Sequence, residues 1–263
     1  MIAIKADLSE DLKSIELHTF SDWHIGDKFC DIVDIRKQIE RVRNTDNAFV
    51  ILNGDLLNNA TKTSVSDCYS EQIPPMKQIE MVTELLMPIK DKILMICNGN
   101  HEARTFRTDG IDLTTIIANN LGKLPVYARE GGVLFLRFGR TCKTKTNGIG
   151  KRKVCYSIMC THGSGGGGRK EGAKAIRLAD MACIADTDIY IHSHTHLPLV
   201  MKQSFFRVDA TNSSVSQVEK LFVNTSAKLG YGGYGQTYEF KPSSIASPVI
   251  YLNGSKKEFF ATM

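Results

Sequence analysis

The stretch Lys92-Ile93-Leu94-Met95-Ile96-Cys97-Asn98-Gly99-Asn100-His101-Glu102 passes abruptly from apolar to polar residues. Its first half predicts a buried β-strand, and its second half predicts a loop that begins where the strand ends. Turn formation accounts for the asparagine and glycine residues, but it does not require a histidine at position 101. The stretch therefore indicates an α/β fold that carries reactive side chains on a loop after a strand.

The same transition from an apolar strand to a polar loop occurs five times along the chain. The strands are predicted at 15–20, 49–52, 92–97, 154–159 and 189–191. The metal-ligand side chains on the loops that follow them are Asp22 and His24; Asp55; Asn100 and His101; His162; and His194 and His196. Each motif alone is common in loops that bind nothing, but their joint occurrence after strands predicts one metal site. Carboxylate, imidazole and amide donors together favour Mn, Fe or Zn over Ca or Mg.

The spacing of apolar residues predicts helices between the strands. They are expected at 32–42, from Pro74-Pro75 to Ile89, at 112–121 and at 170–182. Two strand–loop–helix units before a third strand are typical of a layered α/β fold. We expect the three early strands and the late strand that ends at His192 to form one sheet. The hairpins after Leu199 are expected to form much of a second sheet.

Length and composition narrow the class of protein. The 263 residues show no internal repeat and no linker, so we expect a single domain over 1–263. The 33 basic and 28 acidic residues give a net charge of +5, which permits a polyanionic partner without requiring one. No apolar run reaches the length of a membrane span, and the seven cysteines are scattered. We therefore expect a cytoplasmic protein with reduced thiols and no membrane partner.

The order D-x-H, G-D, G-N-H-E, H, H-x-H between residues 22 and 196 resembles the calcineurin-like metallophosphoesterase superfamily. One position departs from the family pattern, because Ser193 stands where a glycine usually precedes the last H-x-H pair. The resemblance implies a four-layer α/β/β/α sandwich with two mixed β-sheets. It also implies hydrolysis of a phosphate ester by a hydroxide that two divalent metal ions share, with Mn expected and Fe or Zn as alternatives.

The resemblance further implies a role for each motif residue. The first metal ion would be bound by Asp22, His24 and His196, the second by Asn100, His162 and His194, and both by Asp55. His101 would reach the leaving group and give it a proton, and Glu102 would orient or tune His101.

Several other features are candidates for binding the substrate. Arg104 and Arg107 follow the G-N-H-E loop, and Arg169 follows the glycine run at 163–168. A surface ion pair is an equal alternative for Arg104 and the favoured one for Arg107, and a plain connection is an equal alternative for the glycine run. The basic stretch 140–153 and the tyrosines of 230–238 would suit nucleic acid, although a solvated hairpin and half-buried tyrosines are the ordinary alternatives.

We expect the basic stretch and the glycine run to lie beside the metal site. Together with the metal ligands and the net charge of +5, they favour a metal-dependent phosphodiesterase that acts on nucleic acid or nucleotides. A phosphomonoesterase or nucleotide pyrophosphatase remains an alternative, because the metal site does not depend on what lies beyond the phosphate. A non-catalytic scaffold of the same fold is the third interpretation. It is disfavoured because His101 and all the metal positions are retained.

Overall fold

The computed structural model describes residues 1–62, 64, 68–141, 144–145, 148–149, 152–164 and 170–263. The strands are β1 (Ile2–Asp7), β2 (Ser14–Phe20), β3 (Ala48–Asn53), β4 (Ile93–Cys97), β5 (Tyr127–Ala128), β6 (Gly132–Phe138), β7 (Thr144–Lys145), β8 (Gly148–Ile149), β9 (Val154–Thr161), β10 (Ile189–His192), β11 (Leu199–Asp209), β12 (Ser214–Asn224), β13 (Val249–Asn253) and β14 (Phe259–Thr262). The α-helices are α1 (Ile32–Asn44), α2 (Pro75–Leu86), α3 (Glu102–Asp109), α4 (Leu113–Asn120), α5 (Glu171–Asp180) and α6 (Gly233–Thr237). Short 3-10 turns lie at Met87–Lys92, Leu124–Val126 and Met181–Cys183. Within the described ranges, no helix has both the length and the apolar character needed to cross a bilayer.

Two mixed six-stranded sheets pack face to face. The first sheet has the order β14-β13-β2-β3-β4-β5, and the second has the order β1-β6-β9-β10-β12-β11. One apolar cluster fills the space between the sheets, a second joins the first sheet to α1, α2 and α4, and a third joins the second sheet to α5. These layers confirm the expected α/β/β/α sandwich. They also explain why β4 is buried at every residue, since both of its faces are covered.

The expected sheet membership of the strand that ends at His192 is wrong. This strand, β10, lies in the second sheet, where it pairs in parallel with β9 and with β12. The physical reason is local, because β9, α5 and β10 form a short parallel crossover and consecutive strands tend to be neighbours. The last hairpin, β13–β14, instead joins the first sheet beside β2.

Strand direction places all five predicted ligand loops at one end of the sandwich. Strands β2, β3 and β4 are parallel to one another, and so are β9 and β10, so their carboxyl ends meet at the same edges. Residues 140–141 and 152–153, the described ends of the basic stretch, follow β6 and precede β9 and therefore lie at the opposite end. The eight residues of β9 separate these ends from His162 by about 25 Å. The expectation that the basic stretch lies beside the metal site is therefore wrong.

Candidate metal centre

The backbone of the ligand loops is held in an unusual conformation. Eight described residues other than glycine have a positive φ, and five of them are predicted ligands: Asp22 (50°), His24 (49°), Asp55 (52°), His194 (64°) and His196 (55°). This left-handed region is sparsely populated by residues with a side chain, and such strain collects at functional sites. The loops are thus shaped to aim these side chains inward.

Asp22, His24 and His196 form the first cluster. The Oδ1 atom of Asp22 lies 3.2 Å from Nε2 of His196, and the Nε2 atoms of His24 and His196 lie 3.3 Å apart. Asp22 and His24 are buried, whereas the side chain of His196 is 35% exposed and opens the cluster to solvent. Burial alone would raise the pKa of Asp22, but the hydrogen bond and charge of His196 lower it to about 2. The carboxylate is therefore ionised at neutral pH.

His162, His194, Asn100 and Asp55 form the second cluster. The Nδ1 atom of His162 donates to the carbonyl of Asn53 at 2.7 Å, which leaves a lone pair on Nε2 in the neutral ring. That Nε2 atom lies 3.1 Å from Oδ2 of Asp55 and 3.0 Å from Oδ1 of Asn100. Unless Nε2 carries a proton, three electron-pair donors face one another in a buried place, and a cation among them would stabilise this arrangement.

The pKa of His162 reflects the same crowding of acceptors. Burial on its own would lower this pKa, but the Asp55 carboxylate beside the ring raises it to about 10. A group that attracts a proton so strongly also attracts a divalent cation, because both bind the same lone pairs. The carboxylate, imidazole and amide donors of the two clusters therefore fit divalent metal ions of the Mn, Fe and Zn type.

Asp55 belongs to both clusters. Its carboxylate groups with His24 and His101 on one side and with His162 and His194 on the other, with ligand atoms within 4.8 Å of one another in each group. The side chain is 1% exposed, and the neighbouring imidazoles hold the pKa of Asp55 well below its usual range although burial opposes this. A carboxylate is the side chain suited to this position, since it has two anionic oxygens to share.

The loop after β3 and the loop after β4 are in backbone contact. A Cβ atom on Gly99 would lie 2.1 Å from the amide nitrogen of Asp55, so only glycine fits there. Glu102 is buried behind this contact, and its two carboxylate oxygens accept from the amides of Asp55 at 3.0 Å and Leu57 at 2.9 Å. Glu102 thus holds the loop that carries Asp55, and it faces that backbone instead of the open side of the site.

Ser193, which replaces the usual glycine, is part of a buried polar network. Its hydroxyl accepts from Nδ2 of Asn53 at 2.6 Å and lies 2.9 Å from the hydroxyl of Thr225. Thr225 also lies 3.3 Å from Oδ2 of Asp22. Asn53 and Thr225 were missed by the sequence reasoning. The sequence signal for both residues is a polar side chain at the end of a buried strand. Such side chains are also common at strand ends that lie far from any site.

His101 lies at the mouth of the site with Arg104. Its Nδ1 donates to the carbonyl of Asn58 at 2.6 Å, and its Nε2 accepts from Nη2 of Arg104 at 2.9 Å. The other guanidinium nitrogen of Arg104 donates to the carbonyls of Asn58 and Asn59. Burial, opposed by the charge of Asp55, lowers the pKa of His101 to about 4. The ring proton therefore faces Asn58, and Arg104 supplies the N–H groups beside Nε2.

The other two predicted substrate residues differ in position. Arg107 is exposed in the last turn of α3, and among the described residues no hydrogen bond or ion pair joins it to the site. Arg169 and residues 165–168 of the glycine run lie outside the described residues. Arg104 is thus the predicted substrate residue that the fold brings to the ligand clusters.

Comparison with known proteins gives one sequence match and several structural ones. The sequence family described as calcineurin-like phosphoesterase matches residues 17–198, which is more than half of the chain. No curated protein matches the sequence. A conserved uncharacterized protein of Streptococcus pneumoniae, described as a predicted phosphoesterase, is 14% identical, with 95% of this chain and 99% of that chain covered and a TM-score of 0.34.

Two other solved structures are similar at the same level. Vps29 of Entamoeba histolytica, complexed with zinc, is 12% identical, with 93% of this chain and 89% of that chain covered and a TM-score of 0.38. A serine/threonine phosphatase of Saccharomyces cerevisiae is 10% identical, with 97% and 82% covered and a TM-score of 0.40.

Proposed function

This chain belongs to the calcineurin-like phosphoesterase family, and we propose that it is a binuclear metal-dependent phosphodiesterase acting on nucleic acid or nucleotides. The observation that carries the proposal is the meeting of the two ligand clusters at Asp55. The net charge of +5 favours a polyanionic substrate.

Each cluster would hold one divalent cation. The first is assigned to Asp22, His24 and His196, the second to Asn100, His162 and His194, and Asp55 to both. When bound, such a pair of cations neutralises phosphate charge and makes water a better nucleophile near neutral pH. Mn is the expected ion, with Fe or Zn as alternatives for the same donor set.

The residues at the mouth of the site would act on the leaving group. His101 and Arg104 lie together above Asp55, with Nε2 of His101 3.8 Å from Oδ2 of Asp55. The guanidinium of Arg104 is held by two carbonyls, so its N–H groups are already directed when the departing oxygen arrives. We assign His101 to the departing oxygen, to which it gives a proton from its imidazolium form. We assign Arg104 to the charge of that oxygen, and Glu102 to positioning the Asp55 loop.

Turnover of bis-p-nitrophenyl phosphate in the presence of Mn²⁺ tests this proposal. His101→Ala should lower turnover by about 10²- to 10⁴-fold, the range for a positioned acid–base group. Asn120→Ala, at the exposed end of α4, is the control and should leave turnover unchanged. Equal turnover by the wild type, Asp55→Ala and His101→Ala would overturn the mechanism. A panel of a phosphopeptide, a nucleotide and single-stranded DNA would then separate the diesterase from the monoesterase and pyrophosphatase alternatives.

A further inference from the structure

One segment outside the ligand loops is tied to the site at both of its ends. We define it as the aromatic segment, residues 229–243. At its start, the amide of the preceding Lys228 donates to the carbonyl of Asp22 at 2.8 Å. At its end, the hydroxyl of Ser243 donates to the carbonyl of His196. Both attachment points are residues of the first ligand cluster, so the segment forms part of the rim of the site.

The middle of the aromatic segment is folded over Phe29. The amide of Gly230 donates to the carbonyl of Phe29 at 2.8 Å, and Leu229 forms a β-bridge with Cys30. A Cβ atom on Gly232 would lie 2.3 Å from the Phe29 ring, so the backbone approaches this ring as closely as glycine allows. On the far side, Lys241 forms an ion pair with Glu171 of α5 at 2.7 Å. These contacts fix the position of the segment beside the ligand cluster.

Three rings of the aromatic segment are exposed to solvent over a large part of their surface. Tyr231 is 52% exposed, Tyr238 46% and Phe240 39%. The hairpin named as the ordinary alternative is wrong here, because residues 233–237 of the segment form the short helix α6. The Tyr238 and Phe240 rings lie 6.5 Å apart with their planes within 26° of parallel. Several exposed rings grouped at the rim of a site indicate a surface for binding a ligand with flat apolar faces.

We propose that the aromatic segment is a stacking platform for the bases of a single-stranded nucleic acid whose phosphate lies at the ligand clusters. This inference rests on the proposed phosphodiesterase function. Rings that protrude from a rim stack on unpaired bases, whereas the bases of a duplex already stack on one another. Lys28, exposed beside Phe29, adds a positive charge next to the platform for the strand backbone. Stacking of this kind binds every base, so little sequence preference is expected.

Binding of a fluorescein-labelled thymidine decamer, followed by fluorescence anisotropy, tests the inference. The full chain is loaded with Mn²⁺ and carries His101→Ala so that the strand stays intact. Adding Tyr231→Ala and Tyr238→Ala should weaken binding by about 5- to 150-fold, the range for loss of one stacked base. Tyr238→Phe alone should retain binding, because it keeps the ring. Phe206→Ala is the control, since this ring is 77% exposed at the other end of the sandwich.

A decamer of the same charge with abasic sugars separates stacking from attraction of phosphates. The tyrosine variants should bind it as the parent does. The inference is overturned if they bind the thymidine decamer as tightly as the parent, or lose the same affinity for both decamers. If the wild type cleaves bis-p-nitrophenyl phosphate in that case, the proposed function stands and only the platform fails. Absence of any such cleavage would overturn the proposed function itself.

Discussion

The two ends of the sandwich are built from the same strands but have opposite character. At the carboxyl ends of β2, β3 and β9, ionised and polar side chains such as Asp22 and Asp55 are almost fully buried. At the other end, the tip of the β11–β12 hairpin exposes Phe206 by 77% and Val208 by 72%, and Arg140 forms a solvent-exposed ion pair with Glu10. One end concentrates buried charge and backbone strain, whereas the other holds side chains that water can reach.

Strand direction therefore decides which charged segments can take part in the chemistry. Arg152 and Lys153 of the basic stretch are close in sequence to His162, yet the length of β9 separates them. The aromatic segment is far from Asp22 in sequence, yet Lys228 and Ser243 attach it to the ligand loops. Nearness along the chain is therefore a poor guide to which loops surround the site.

The largest expected effect comes from removing the shared charge at the buried end. Asp55→Asn keeps the shape of the side chain but removes the anion common to both clusters. We expect metal affinity and turnover to fall by more than about 100-fold, which exceeds the range for residues that only support ligands. Mass spectrometry of the metal content and assays of turnover measure these two decreases. Asp91→Asn, whose side chain is 87% exposed, should change neither.

Glu102→Gln should have the next largest effect. The amide group would keep one acceptor oxygen but turn its NH2 donor toward either the amide of Asp55 or that of Leu57, where two acceptors are needed. We expect a loss of about 10- to 100-fold in metal affinity and a decrease of about 1–3 kcal/mol in the free energy of unfolding. Isothermal titration with Mn²⁺ and urea unfolding test this, with the exposed Glu84→Gln as control. Unchanged metal affinity would show that Glu102 does not support the metal site.

Gly99→Ala tests the backbone contact between two ligand loops. The added methyl group would clash with the backbone and carboxylate of Asp55, which should lower the free energy of unfolding by about 1–3 kcal/mol. Gly172→Ala is the matched control, because nothing lies within 4 Å of its Cβ position. An equal decrease in the free energy of unfolding of both variants would show that the contact between the loops is not the cause of the loss in stability.

The smallest effect on turnover and stability is expected at the end of the sandwich opposite the ligand loops. The double variant Arg140→Gln and Arg152→Gln removes two exposed charges from the basic stretch. Turnover of bis-p-nitrophenyl phosphate should stay within about twofold, and the free energy of unfolding within about 0.5 kcal/mol. A loss of turnover comparable to that of Glu102→Gln would contradict the separation of the two ends.

Features that depend on neighbouring residues in the sequence, such as the ligand loops, could be predicted. Features that depend on pairing between distant segments could not. The ligand loops were found because each lies directly after an apolar run, as Asn100 does after β4. The sheet of β10 was assigned wrongly, because apolar runs do not show which neighbour a strand pairs with. The bonds of Ser193 to Asn53 and Thr225 cross 140 and 32 residues, so no local pattern predicts them.

Anomalous diffraction from crystals soaked with MnCl₂ tests the central claim most directly, because it locates each cation without assuming any activity. We predict two peaks about 3.5–4 Å apart, one beside Asp22 and His196, the other beside His162 and His194, with Asp55 between them. The absence of a peak at either cluster, or a pair of peaks that Asp55 does not contact, would contradict the account.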